Sequence, residues 1–447
     1  SGYMDEVLEL YETKESAVSK LDEAKRYTDK AFDDAKRYTD KAISDALSVP
    51  SEPTEPPEPT EPTTPSIIYG VEIDEDNPDP FGAVTYIADS EGFEPLYTGD
   101  GNVDLGSWGD KFPINKVKVV LMKDGEVFVE LDKNDYTKTV DGRTVDITNG
   151  NTHEVMVAIP LTFWKFERVG SKLRIYISDG QPDDSFKAYA HSRDGVVQDN
   201  YLYIGAYKGS VGYGRLRSVY GANPTQAPDR TIGGFRRYAE ANGEGYGQMN
   251  WATMTLLQIF TVLLTKSLDS QTALGRGNVE SKKFVNNGGT TKKGLFYGEQ
   301  SGKEQMKFLG IEDFWGNVYE FVDGLVIDPD RMWLINDKNT NYNDEGEGYT
   351  KHGECFDKKG WVSQVDGKTN TGFIPVKTDG SSSTYYADYV WPVGEGQGSR
   401  VMFFGGNLSG DSYSYHSYSG AFFLGDTSSS NVSTGVGARL IYLKGGN

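Results

Sequence analysis

The sequence predicts an α+β protein: an N-terminal coiled-coil helix, a Pro-rich linker, a small β domain and a larger C-terminal α+β domain. Three observations carry this reading. The N-terminal residues repeat with a period of eleven, and a dense proline run follows at residues 50–65. Beyond the prolines, β-branched and aromatic runs are punctuated by glycine turns, with one long apolar helical stretch at residues 250–267. A chain of 447 residues has room for about two to four domains.

The N-terminal repeat is explicit. AKRYTDKA occurs at residues 24–31 and again at 35–42. Leu10, Leu21, Phe32 and Ile43 keep the same spacing, as do Ala24, Ala35 and Ala46. Eleven residues over three turns is about 3.67 per turn, a seam that winds right-handed around the helix. A narrow apolar stripe on a charged helix has no core of its own and needs partner chains. Residues 1–49 are therefore expected to form a stalk, with a homo-oligomer made through residues 5–47. A trimer is expected, with a dimer or a helix docked on its own globular domain as alternatives. Ser1-Gly2 reads as a cloning remnant, so more natural chain is expected before it.

Residues 50–66 form the linker. Prolines this dense favour polyproline II, and the interspersed glutamates keep the segment extended and solvated. At about 3.1 Å per residue it makes a spacer on the order of 50 Å.

Residues 67–180 are expected to be a β-rich domain. Two apolar runs flank Lys123-Asp124-Gly125, a hairpin signal. Residues 153–179 read as two further strands turning near Gly170-Ser171. Residues 181–447 make the larger domain. Its helix at 250–267 is apolar over most of its face and should be buried. The Gly- and Asn-rich stretch from 275 to 398 reads as loops. Within it, Asp328, Asp330, Asp337, Asp344 and Glu345 supply oxygen ligands that could hold a structural calcium.

Charge and side-chain chemistry exclude several functions. A formal net charge of -21 is the wrong sign for nucleic-acid binding, which needs Lys and Arg patches. No apolar run approaches the length of a membrane span, so no membrane insertion is expected. Cys355 is the only cysteine, and His153, His191, His352 and His416 show no metal-ligand spacing. No cofactor is expected, and the chain does not read as an enzyme. A glycosidase carboxylate pair has no sequence signature that would locate it among 66 acidic residues.

GIEDFWGNVYEFVDG, at residues 310–324, is the most specific string in the chain. It resembles the "GL-D-M-GNVWEW" signature of the formylglycine-generating-enzyme branch of the C-type lectin fold. RVMFFGG at 400–406 and GVGARLIYL at 435–443 resemble the closing "RGGSW…GFR" strands of that family. Upstream, VMVAIPLTFWKF, NYLYIGAYKG and QTALGRG resemble segments of phage tail-fibre proteins that carry this fold. The variable proteins of diversity-generating retroelements end in the same way. The resemblance implies a C-type-lectin-fold domain at 181–447 with a variable region at about 403–440. It does not carry the enzyme chemistry over. Copper needs a cysteine pair where this chain has Cys355 alone, and the iron-dependent relatives need a histidine cluster. Asn317 and Glu320 are accordingly expected to be structural, as are Arg439 and Leu440.

The segment from Gly406 to Ser433 contains no Lys, Glu, Gln, Trp or Met. Retroelement diversification, as the resemblance implies, randomises adenines in AAC codons, and those five residues never arise from it. Tyrosine brings large amphipathic contact area at low entropic cost, and serine and glycine bring adaptable hydrogen bonds, as in antibody paratopes. The expected ligand-binding residues are Leu408, Ser409, Asp411, Tyr413, Tyr415, His416 and Tyr418, with Asp426, Thr427, Ser428, Ser430 and Asn431 on a neighbouring stretch. Ala421 to Leu424 should form a buried strand between them. The resemblance implies a receptor-binding adhesin of a phage tail fibre, carried on the virion and reading a bacterial surface receptor, glycan or protein. The alternatives are an enzyme degrading a surface polysaccharide and a variable binding protein displayed on a bacterial cell surface.

Overall fold

The structure, a computed structural model, describes residues 2–47, 66–99, 101–149, 153–356, 358–391, 398–408 and 419–445. The linker expected at 50–66 lies almost wholly outside these. The chain divides into two compact units, Ser1–Pro65 and Ser66–Asn447.

In the first unit, Gly2–Leu47 is one continuous helix, α1. The repeat is visible in its hydrogen bonds. Thr28 Oγ1 donates to the Ala24 carbonyl and Thr39 Oγ1 to that of Ala35, both at 2.9 Å. Every side chain from 13 to 41 is exposed, including the stripe residues Leu21 at 69% and Phe32 at 72%.

The second unit is α+β. Its first sheet has four antiparallel strands in the order β2 (Val84–Ala88), β1 (Ile68–Asp74), β8 (Lys172–Ser178), β7 (Phe163–Val169). A second, seven-stranded sheet runs Tyr246–Gln248, Leu440–Tyr442, Tyr201–Gly205, β6 (Glu154–Pro160), β3 (Lys118–Lys123), β4 (Glu126–Asp132), β5 (Asp135–Thr139). The β3–β4 hairpin turns on Asp124 and Gly125, both with positive φ (52° and 78°). That pair matches the turn whose twist suits a two-residue hairpin.

Two expectations are corrected here. The run at 153–179 makes three strands rather than two. It breaks at Leu161-Thr162, where the chain leaves the seven-stranded sheet and enters the four-stranded one. Residue 180 is not a domain boundary either. β3 to β6 precede it, yet their sheet is completed by Tyr201–Gly205 and Leu440–Tyr442. All seven residues of β6 are buried, and a strand buried on both faces needs cover from the rest of the fold.

A third, larger sheet runs Thr350–Glu354, Met332–Ile335, Tyr319–Ile327, Arg400–Gly405, Gly420–Thr427, Tyr389–Trp391, Gly360–Trp361, and Val436–Gly437 joins it parallel to Tyr319–Ile327. Part of the stretch expected as loops is therefore strand, and the remainder is turns and irregular chain. Helix α2 (Ile232–Glu240) opens on Thr231, whose hydroxyl accepts from Gly234 N. Helix α3 (Trp251–Thr265) opens on Asn250, whose side chain accepts from Thr253 N, and closes on left-handed Lys266. All fifteen α3 residues are buried. The helix packs against β1 and against Tyr319–Ile327 and Gly420–Thr427, so one core serves sheets on both sides of the expected boundary.

Candidate functional site

The 310–324 string builds a buried hub rather than a cleft. Glu320 receives Arg439 Nε on Oε1 at 2.8 Å and Lys208 Nζ on Oε2 at 3.0 Å, and all three side chains are fully buried. Arg439 also donates to the carbonyls of Gly205 (2.9 Å), Glu312 (2.8 Å) and Asp313 (3.1 Å). Burial alone would raise the Glu320 carboxyl, but Arg439 and Lys208 hold it below its ordinary value. Asn317 lies in the left-handed region (φ 64°). Its side chain accepts from Val285 N at 3.1 Å and donates to Val285 O at 2.9 Å, fastening a second loop. Asp313 beside it accepts from Gln305 and Asn317. Burial and the adjacent Glu312 carboxylate push it up to about 7. These residues bond backbone and one another, as expected of scaffold. Lys208 belongs to the hub too, and its only sequence signal is a charge inside an otherwise apolar run.

The Tyr/Ser segment is mounted on the hairpin of Arg400–Gly405 and Gly420–Thr427. Gly405 pairs with Gly420, and Val401 with Thr427. At the base, a Cβ on Gly406 (φ 102°) would overlap Ser419, so the two ends of the segment touch. The second end is held by buried polar side chains. Gln271 Nε2 donates to Ser419 O, Ala421 N to Ser270 Oγ (3.0 Å), Phe422 N to Asp388 Oδ2 (2.8 Å) and Gln258 Nε2 to Ala421 O (2.8 Å). Ala421 to Leu424 are buried. The Phe422 ring sits 5.1 Å from both Phe373 and Tyr386. Phe423 stacks on Tyr319 at 5.2 Å.

Ser409, Asp411, Tyr413, Tyr415, His416 and Tyr418 lie outside the described residues. Leu408 is half-buried, its N–H on Asn317 O at 3.3 Å. Ser428, Ser430 and Asn431 form a turn. Asn431 N donates to Ser428 O (3.1 Å), the Ser428 and Ser430 hydroxyls lie 3.2 Å apart, and Ser430 is exposed. This turn leaves the hairpin at the end away from Leu408. The chain then returns, and Gly435 lies against Asn407 and hydrogen-bonds Tyr319 N.

Asp426 and Thr427 depart from the expected binding role. The Asp426 side chain is 4% exposed and faces Arg400 Nη2 at 3.6 Å. Thr427 is buried, and its hydroxyl accepts from Asn431 Nδ2 at 2.7 Å. Consecutive strand residues point to opposite faces, and both faces are covered here, so the two side chains shape the turn that carries Ser428, Ser430 and Asn431.

The acidic residues considered for calcium do not converge. Asp328 pairs with Lys351 (3.1 Å) and Asp344 with Arg236 (2.8 Å), while Asp337 accepts from the Thr350 hydroxyl. Among the described residues no cluster of His, Cys, Asp or Glu is arranged to hold a metal ion. No described helix is long and apolar enough to cross a membrane. No protein-family model matches the chain, and no curated protein matches its sequence significantly.

Proposed function

We propose that the chain is a receptor-binding adhesin of a phage tail fibre. Its C-terminal half is read as a C-type-lectin-fold head and residues 403–440 as a region diversified by a retroelement. One observation carries the reading. A segment drawn from a paratope-like alphabet is inserted where two scaffold ends touch, at Gly406 and Ser419. The strand it leads into is fixed by Gln258, Ser270 and Asp388, side chains outside the segment. Such a mount tolerates a changing surface, because the core does not depend on which side chains the segment bears.

The stalk fits the same reading. An isolated helix with its apolar stripe in water is not stabilised by packing, and a parallel trimer of α1 would bury that stripe. Three heads on one stalk would gain avidity without new contacts.

The test is adsorption. Changing Tyr413, Tyr415 and Tyr418 together to Ala should abolish binding to host cells and leave the melting temperature nearly unchanged. A variant that binds as wild type does would remove the Tyr/Ser segment from the receptor contact. Release of sugars from host surface polysaccharide by the purified chain would favour the degradative alternative instead.

A further inference from the structure

We infer that the groove between β5, residues 144–148 and residues 288–293 is a saccharide-binding site, independent of the Tyr/Ser segment. The groove encloses about 510 Å³, within the range of small-molecule sites. It shares no residue with 403–440.

Its floor is built from below. The buried Glu312 carboxylate accepts Gly288 N (2.7 Å), Thr290 N (2.8 Å) and Thr290 Oγ1 (2.6 Å). Lys307 Nζ, also buried, donates to Thr290 O at 2.8 Å. Two buried charges thus fix one short glycine loop, which spans no strand pairing of its own.

On that loop lies an aromatic platform. The Tyr220 ring packs so closely on Gly288 (φ 123°) that any Cβ there would collide with it. Tyr220 is nonetheless 42% exposed, and its N–H is tied to Ile147 O at 2.9 Å. A large ring held against backbone with its other side in solvent offers a flat, negatively polarised face. The polarised C–H face of a pyranose ring complements it.

The rim supplies the polar half. Thr144 Oγ1 accepts from Lys138 Nζ at 2.6 Å, which leaves its own proton to donate. Thr148 Oγ1 donates to Asp146 at 2.6 Å, which leaves its lone pairs to accept. A sugar hydroxyl is both donor and acceptor and satisfies such a pair. The Lys292 side chain is 67% exposed at the same rim, and Asp135 lies 3.8 Å from its Nζ. A second cavity of about 380 Å³, floored by Leu295 and Phe296, meets the first at Lys293. The pair makes a run suited to more than one sugar unit.

The test is saturation-transfer NMR on the full chain with glucose, galactose, N-acetylglucosamine and glucuronic acid as probes. At least one should receive transfer from the wild-type protein. Tyr220→Ala should weaken that sugar at least about tenfold, or about 1.4 kcal/mol. Changing Tyr413, Tyr415 and Tyr418 to Ala should leave it unchanged. Should Tyr220→Ala lower the melting temperature, Thr148→Val tests the same groove from its rim. Silence from all four sugars overturns the inference. So does unchanged binding by a folded Tyr220→Ala chain, or loss of binding in the tyrosine triple variant. Adsorption reports on the Tyr/Ser segment alone, so the two readings can fail separately.

Discussion

Glu320 and Arg439 meet as a two-point ion pair across 119 residues of chain, with Nε on Oε1 at 2.8 Å and Nη2 on Oε2 at 3.2 Å. The pair joins the middle of the largest sheet to the last strands of the protein. Replacing Arg439 by Met strips Glu320 of its closest cation and removes the bonds that Arg439 donates to three carbonyls. Breaking a buried pair from one side costs about 3–5 kcal/mol. Urea denaturation of Arg439→Met should show a loss of that size, and a loss under about 1 kcal/mol would mean that the hub is not structural.

Phe422 and Asp426 should behave as scaffold although both lie within the proposed variable region. Phe422→Ala empties a site packed by Phe373 and Tyr386 and should cost about 3–5 kcal/mol. Asp426→Ala leaves Arg400 without its carboxylate and should cost about 1–3 kcal/mol. Ser430→Ala, on the exposed turn, should stay within about 0.5 kcal/mol. If Asp426→Ala weakened receptor binding while the melting curve stayed fixed, its inward placement would be wrong.

His191 makes stability depend on acid. It is fully buried, with Nε2 3.1 Å from Ile159 O. Burial pushes the ring down to about 4, against about 6.5 in an unfolded chain. Below pH 6.5 the unfolded state takes a proton that the folded state refuses. The stabilisation is complete above 6.5 and is lost as pH falls to about 4, by roughly 3 kcal/mol. Denaturation at pH 7 and at pH 4.5 should show a smaller difference for His191→Gln than for wild type. Equal differences would assign the acid sensitivity elsewhere.

The exposed stripe of α1 should be covered by other copies of α1. Sedimentation of the full chain should give a trimer, and a chain beginning at Ile67 should sediment as a monomer. An oligomer of unchanged size after the truncation would move the contacts into residues 66–447.

What could be read from the sequence follows from how local each signal is. The α1 repeat, the Asp124-Gly125 turn and α3 are set by neighbours within a few positions, and spacing alone reveals them. Asn317 and Glu320 were expected to be scaffold, and the structure has them bonding the Val285 backbone and the buried Arg439 and Lys208. Tyr319–Ile327 was hidden. Eight of its nine residues are buried, so it shows no alternation, and Asp323-Gly324 interrupts the apolar run. The interruption is tolerated because Arg236 (2.6 Å) and Gln248 (3.0 Å) neutralise and bond Asp323, partners that lie far off in sequence. The merging of the expected β domain with the rest depends on β6 pairing with Tyr201–Gly205, across an intervening hairpin. Composition does not encode such long-range pairing. Asp426 and Thr427 were misjudged because residue type does not tell that a strand is covered on both faces.

The touching of Gly406 and Ser419 makes the hairpin a socket of fixed width. Whatever joins those two points spans the same short gap, so its length is decoupled from the strands beneath. Doubling the length of a flexible insert adds only about 0.6 kcal/mol of closure entropy. A foreign peptide, cyclised by the protein itself, could be carried between these two residues with the eight-stranded sheet as its clasp, which would make residues 66–447 a display scaffold in their own right.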